Sequence, residues 1–430
     1  MGKGQLAPAG KPCHHAAMTA QATCNRRVSG GSSHDVIIIG AGASGLFCAR
    51  EAALRGVRVL VLESGEEPGR KLCLAGGGKA NFSNRDVGPS HYCSAAPKQF
   101  AHALRAFPPR DAVRLVEKWQ LPHEERGHGQ LFLRTSAKAL RDALLQDCRD
   151  AGCRIVCHAP VSRAWLEGDS FFVAAGDGLW TAQGLGIAAG SPARPQCGAT
   201  DSGFALARSF GHSIIPPRPA LTPLLMPADW PRGGTSCADI AGICLPVRIS
   251  LPANANHMWE DDLLFTHDGI SGPAALKVSL FWESGMEICL DFAPGTSFEE
   301  LLDAPGKLLV RTAARRLGPQ RLMDALVPDD LAERKCAELS RQQRRTLATA
   351  IHAHRCIPLR AAGMKRAEAC AGGVAMTEVN PRSLESTLVP RLWFMGEVLD
   401  VTGLLGGYNL HWAWASGRVA AQSMVKTFCA

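Results

Sequence analysis

The sequence predicts an α/β fold in which one domain, built from both ends of the chain, is interrupted by a β-rich insert. Three observations predict it. A β-branched run, Val36–Ile39, enters the glycine turn Gly40-Ala41-Gly42-Ala43-Ser44-Gly45, which opens a helical stretch from Leu46 to Arg55. After Gly56 a second strand-like run, Val57–Leu62, closes on Glu63. Far downstream, Leu392–Met395 reads as a strand into Gly396-Glu397, and Gly406-Gly407-Tyr408-Asn409 opens a helix from about Leu410 to Val425. A chain of 430 residues also exceeds one ordinary core.

The first element is a G-x-G-x-x-G turn inside a β-α-β unit of about thirty residues. Gly40 permits the tight turn, Gly42 lets backbone approach a pyrophosphate, and Gly45 lets helix and strand pack closely. The amides around Ala41 and Ser44, with the dipole at the helix start, favour an anion. Glu63 ends the second strand, where a carboxylate can accept the hydroxyls of an adenosine ribose and disfavours a 2′-phosphate. A dinucleotide is therefore expected, and this unit alone does not separate FAD from NAD.

The next segment does. Pro68 to Asn84 reads PGRKLCLAGGGKANFSN. It resembles the GRK…SGGGRCN.TN stretch of the BaiN/YhiN-type flavoproteins, a family of NAD(P)/FAD-dependent and aminoacetone-oxidase-like oxidoreductases. Arg70 and Lys71 supply cations for a diphosphate, Gly76-Gly77-Gly78 lets amides crowd a flavin, and Asn81 offers a donor and an acceptor. Ala80 stands where many relatives carry cysteine, so no thiol acts there. Cys73 has no partner five residues on, where Gly78 stands, which excludes a dithiol relay. The likeness continues in order through Gly129–Leu145, Leu185–His212, PALTPLL, FTHDGISGPAAL (Phe265–Leu276) and Cys370–Gln422.

The resemblance implies a glutathione-reductase-like, Rossmann-like FAD-binding domain interrupted by a β-barrel-like insert with a small helical piece. The expected division is a disordered basic tail over 1–34, the FAD-binding domain over 35–191 and 359–430, and the insert over 192–358. Prolines cluster from Pro216 to Pro227, short alternating runs continue to Asp291, and 297–350 carries leucines at helical intervals. At the C-terminal half-site, Glu397 is placed against a ribityl hydroxyl after Gly396, with Asp400 on the loop. Gly407, Asn409 and Leu410 open the helix whose dipole would stabilise reduced flavin. Trp393, Trp412 and Trp414 read as packing residues.

Composition narrows the function. The chain is 46% apolar and 20% charged, with no run of eighteen apolar residues, which excludes a membrane span and suggests a cytoplasmic protein. Half of the +8 net charge lies in residues 1–34, on Lys3, Lys11, Arg26 and Arg27, so bulk charge argues against a nucleic-acid partner. The tail has no apolar core of a secretory signal, and the start of translation is placed nearer Met18. Sixteen cysteines without a C-x-x-C pair read as reduced thiols, and Cys13-His14-His15 has no further paired ligands for a metal. Oligomeric state has no signal here.

No second G-x-G-x-x-G follows a strand, so no dedicated nicotinamide domain is expected: either NAD(P)H docks transiently over the flavin, or the reductant is another molecule, or oxygen is the acceptor. The first functional reading is hydride transfer between flavin N5 and a small hydrophobic or unsaturated carbonyl substrate. A flavin-dependent amine or aminoketone oxidase using oxygen is the second. A flavin-containing RNA-binding or RNA-modifying protein is the third. His267 in THDGISGP is the first candidate proton donor, with Asp268 or Tyr408 behind it and His411 and His212 lower.

Overall fold

The computed structural model describes residues 1–2, 34–232, 234–303 and 307–429; residues 3–33, where nearly all of the expected basic tail falls, lie outside them. The first strand, β1 (His34–Ile39), is buried from Val36 onward, as its unbroken apolar run requires of a central parallel strand. Helix α1 (Ala43–Ala53) begins three residues earlier than the sequence suggests, because Gly45 belongs inside its first turn. β2 (Val59–Leu62) returns beside β1 with Val36 opposite Val59 and Ile39 opposite Leu62. Helix α2 (Ala137–Asp150) is capped by Ser136, whose side chain accepts the Ala139 N–H at 3.2 Å, and leads into β3 (Arg154–Val156). β4 (Gly178–Ile187) closes this part on the other side of β1.

The insert follows. β5 (Ile214–Ala220) leaves the first domain. β6 (Cys244–Leu251) and β7 (Asn254–Thr266) form the long hairpin of a seven-stranded sheet, and helix α3 (Gly272–Ser279) packs across it. The two ends of that sheet are the strands His354–Cys356 and Arg360–Ala361. Laid flat, seven strands would separate their edges by about 29 Å at ~4.8 Å per strand. The link from Cys356 to Arg360 can reach only about 14 Å. The sheet therefore curls into an open barrel, in agreement with the barrel-like expectation. The helical piece covers it with Arg341–His352 as its longest member.

The chain then re-enters the first domain through β8 (Ala369–Val374), which pairs antiparallel with β5, and reaches β9 (Leu392–Phe394) and the long helix α4 (Tyr408–Phe428). β3, β2, β1, β4 and β9 form a parallel sheet in that order. β4 is long enough to serve two partners on one edge. Its first half pairs antiparallel with Ser170–Ala175, and its end takes β9, with Leu185 opposite Leu392. α4 crosses α1 so closely that a Cβ on Gly417 would lie 2.9 Å from the Ser44 carbonyl oxygen.

Two large hydrophobic cores and a small third cluster hold the buried apolar side chains. Phe204, Leu206, Ala207, Ala220 and Leu221 belong to the first core, whereas Leu224 opens the second. First-core packing thus extends to Leu221, and the proline-rich run over 214–220 pairs with β8. Trp393, Trp412 and Trp414 are fully buried, each with its indole N–H bonded: to Ser423 Oγ, the Gly396 carbonyl and the Phe82 carbonyl. The described cysteines are free thiols. Among the described residues no helix is long and apolar enough to cross a membrane, and no His/Cys/Asp/Glu cluster could hold a metal.

Candidate functional site

A cavity of about 560 Å³ runs from the glycine turn to the meeting point of the two domains, within the ~300–1,000 Å³ usual for small-molecule and cofactor sites. At one end, α1 begins at Gly42 with no side-chain cap and no acidic residue in its first turn, so its leading N–H groups are free to bind an anion. A Cβ on Gly42 would meet nothing within 4 Å, so the cradle stays open, whereas one on Gly40 would lie 2.5 Å from the Ala188 carbonyl oxygen. Glu63 is held beside this turn. Its Oε2 accepts the Ala41 N–H at 2.9 Å and its Oε1 the Gly65 N–H at 2.8 Å, which fixes the carboxylate while leaving lone pairs for a ligand.

Farther along, the two ends of the chain meet. Lys71 and Glu397 both line the cavity and form an ion pair of 2.6 Å. Each therefore answers the other: the cation expected at a diphosphate and the acid expected at a ribityl hydroxyl are mutual partners. Arg70 is exposed and lies over Gly198, where any Cβ would collide with its guanidinium. Asn81 is buried; it donates to the Ser83 and Leu131 carbonyls at 3.0 and 3.2 Å while its oxygen accepts the Gly407 N–H at 3.2 Å. Gly407 has φ +94°, and a Cβ there would stand 2.3 Å from the Ser83 carbonyl oxygen, so the start of α4 is pressed onto the 81–84 strand. Like α1, α4 starts with neither a side-chain cap nor an acidic residue. The Asn409 amide is spent within the loop, accepting the Gly403 N–H at 2.8 Å and donating back to its carbonyl at 2.9 Å.

Of the sequence candidates, Gly40, Gly42, Ser44, Glu63, Arg70, Lys71, Gly77, Asn81, Glu397, Gly407, Asn409 and Leu410 line this cavity. Six do not. Ala41 and Gly45 lie behind the turn: Ala41 serves Glu63, and a Cβ on Gly45 would be 2.0 Å from the Gly40 carbonyl oxygen. Gly396 faces Ser44, where a Cβ would stand 2.3 Å from its hydroxyl. Asp400 is buried away from the cavity and accepts the Ala95 N–H at 2.8 Å; burial pushes its carboxyl above the usual range. Tyr408 stacks on His91 with centroids 4.7 Å apart, outside the cavity lining, and burial pushes its phenol up to about 12.

His267, the first candidate proton donor, does not line this cavity. It occupies the exposed turn between β7 and the strand Gly269–Ser271. Its neighbour Asp268 is taken by Arg366 at 2.8 Å and by the Thr266 hydroxyl at 2.9 Å. The lower-ranked histidines also lie outside the cavity lining. His411 is buried against Ser83 Oγ at 2.8 Å, and burial lowers its pKa to about 4; His212 is buried between Ser386 and Glu378.

The insert contributes residues that the sequence reading does not assign to the site. Asp261 on β7 and Pro273, Leu276 and Lys277 on α3 line the cavity, and Lys277 Nζ lies 2.7 Å from Asp261 Oδ2. Lys277 follows directly on the FTHDGISGPAAL stretch. No local pattern marks it, because its pairing with Asp261 is made across α3 and β7. Gln130, Phe132 and Arg194 complete the nearby wall.

The HI0933-like protein Rossmann domain model matches residues 34–423. The chain is 34% identical over 397 residues to a ribosomal RNA dihydrouridine synthase of Haemophilus influenzae, covering 90% of this chain and 98% of that one. To the protein of the same description in Escherichia coli K12 it is 33% identical, covering 91% and 98%. To a 3-dehydro-bile acid delta(4,6)-reductase of Clostridium scindens it is 28% identical over 414 residues, covering 90% and 98%.

Proposed function

The chain belongs to the HI0933-like Rossmann family and is an FAD-dependent oxidoreductase; on that footing we propose that it reduces a carbon–carbon double bond conjugated to a carbonyl, in the uracil bases of RNA. The names of the three relatives converge on this chemistry. Dihydrouridine arises by saturating the uracil C5–C6 double bond, which is conjugated with the C4 carbonyl, and a bile-acid delta(4,6)-reductase saturates double bonds of a steroid. Hydride addition to an unsaturated carbonyl is common to the two.

One observation in this chain favours RNA. From Arg341 to Arg366 there are seven Lys or Arg and no Asp or Glu, so the excess charge outside the tail is concentrated rather than spread. That segment ends at the cavity rim: the Arg194 N–H donates to the Met364 carbonyl at 3.0 Å, and Gln196 donates to the Lys365 carbonyl at 3.1 Å, with Arg194 itself lining the cavity. Arg344, Arg355 and Arg366 have acidic partners, while Arg341, Arg345, Arg360 and Lys365 are exposed. A basic segment whose end lies beside a reducing site suits a polyanion whose bases must be presented one at a time. Net charge over the whole chain conceals this local run.

The residues fit FAD. The uncapped start of α1 and Gly42 would take the pyrophosphate, Glu63 the adenosine ribose, Lys71–Glu397 the ribityl region, and Asn81 with the start of α4 the ring. Bound there in reduced form, the cofactor supplies a hydride equivalent. The protein's part is to hold the acceptor carbon against it, exclude water with Leu276, Pro273 and Phe132, and furnish a proton. A nicotinamide is the proposed electron donor.

The test is anaerobic. The purified protein is reduced with NADH or NADPH, mixed with unmodified ribosomal RNA transcript, and the RNA digested and assayed for dihydrouridine. Formation of dihydrouridine with flavin reoxidation supports the reading. Reoxidation only by a steroid 4-en-3-one would move the substrate to the steroid class, and peroxide formation from an aminoketone without any nicotinamide would replace reduction by oxidation.

A further inference from the structure

We infer that Lys277, held by Asp261, binds the substrate's carbonyl oxygen and delivers the proton that completes the reduction, making it a catalytic residue supplied by the insert; this rests on the unsaturated-carbonyl reading above. The saturation of a conjugated double bond needs two things besides hydride: a positive group at the carbonyl oxygen, where negative charge develops, and a proton for the adjacent carbon. Among the described residues no histidine or tyrosine lines the cavity. Its arginines cannot release a proton, and Lys71 stands with Glu397 on the wall built by the first domain, where the ribityl region is proposed. Lys277 is the cation that comes from the opposite, insert side.

Its position is fixed from both domains. α3 sends Ala274, Ala275 and Val278 into the insert core, while Leu276 and the following Leu280 pack on the first core. The Ser279 hydroxyl accepts the Thr222 N–H at 2.9 Å, and Arg218 donates to the Leu280 carbonyl at 2.6 Å. At the other end, Gly272 has φ +81°, and a Cβ there would be 2.8 Å from the Asp262 carbonyl oxygen, so the helix start is locked onto β7. The Lys277 and Asp261 side chains are only 12% and 16% exposed. A long flexible side chain so immobilised, 2.7 Å from a carboxylate oxygen, has its orientation set before substrate arrives.

The step balances. The carbon β to the carbonyl gains a hydride from the reduced cofactor, which loses two electrons. The former double-bond pair moves toward the carbonyl, placing enolate charge on the oxygen beside Nζ. The α carbon then takes a proton from the ammonium. Nζ would regain a proton from solvent, and the hydride equivalent consumed would be replaced by the nicotinamide donor.

The experiment follows the two half-reactions of the FAD-loaded protein in stopped flow, with equilibrium binding of a dihydrouridine-containing RNA oligonucleotide as an independent readout. Lys277→Met should keep flavin content and the rate of reduction by nicotinamide within about twofold. It should slow reoxidation by uridine-containing RNA by about 100-fold or more and weaken oligonucleotide binding. Lys277→Arg should restore binding but not reoxidation, whereas a merely structural pair would be rescued in both. Asp261→Asn should give an intermediate loss. Wild-type reoxidation rates in Lys277→Met would overturn the assignment and leave the proposed function standing. A wild-type protein reoxidised by neither RNA nor a steroid 4-en-3-one would overturn the proposed function and this assignment with it.

Discussion

Lys71 Nζ stands 2.6 Å from Glu397 Oε2, joining positions 326 residues apart at the wall of one cavity. The pair fastens the turn after the first β-α-β unit to the loop after β9, so two half-sites from opposite ends of the chain share one brace. With side-chain exposures of 35% and 19%, solvent screens it, and a double-mutant cycle of Lys71→Met and Glu397→Gln should give a coupling of about 1 kcal/mol in chemical unfolding. Each single variant should also release FAD more readily in equilibrium dialysis. Additive single effects would show that the brace has no energetic role.

The glycines of the turn should separate into two kinds. Gly45→Ala places a methyl 2.0 Å from the Gly40 carbonyl oxygen, and overpacking of this sort costs about 1–3 kcal/mol or more. Gly42→Ala meets nothing within 4 Å, so urea unfolding of the apoprotein should stay within about 0.5 kcal/mol of wild type. It should nevertheless weaken FAD binding, because the methyl would occupy the place of the pyrophosphate. If both variants lost only stability, the turn would be a folding element and no cradle.

His411 supplies a pH dependence with a definite sign. Burial lowers its pKa from 6.5 to about 4, so between those values the unfolded chain binds a proton that the native state refuses. Stability from this group is fully present above pH 6.5 and falls as pH drops toward 4, by up to roughly 3 kcal/mol. His411→Gln should flatten that part of the wild-type profile. An unchanged slope in the variant would assign the acid sensitivity to other groups.

His267 lies on an exposed turn outside the cavity. His267→Ala should therefore keep flavin content, turnover and thermal midpoint, the last within about 0.5 kcal/mol of stability. A large fall in turnover alone would mean that the turn reaches the substrate.

For the basic segment, Arg341, Arg345, Arg360 and Lys365 changed together to Ala should weaken RNA retention. They should also reduce the dependence of log K on log salt by about 0.7 for each phosphate that is no longer neutralised. Reduction of the flavin by nicotinamide should be unchanged. An equal salt slope in the variant would locate the RNA-binding cations elsewhere.

The amino-acid order was sufficient for the parts whose chemistry is local. A strand, a glycine turn and a helix start are dictated by neighbouring residues: β-branched side chains fit a buried strand, and Gly40 must adopt φ +104° against the Ala188 carbonyl. The interrupted domain was legible for a similar reason, since half-sites at both chain ends must meet to form one nucleotide site. Where the polar groups point emerged only from the packing of the folded chain. Asp400 and Glu397 lie three positions apart on one loop, yet one caps a buried turn at Ala95 and the other faces the cavity. His267 looked chemical because histidine titrates near neutrality, but its turn carries it outward, while Lys277 is brought to the cavity by a helix wedged between two cores. A residue's type follows from the sequence, but its partner and its exposure depend on which distant segments pack against it.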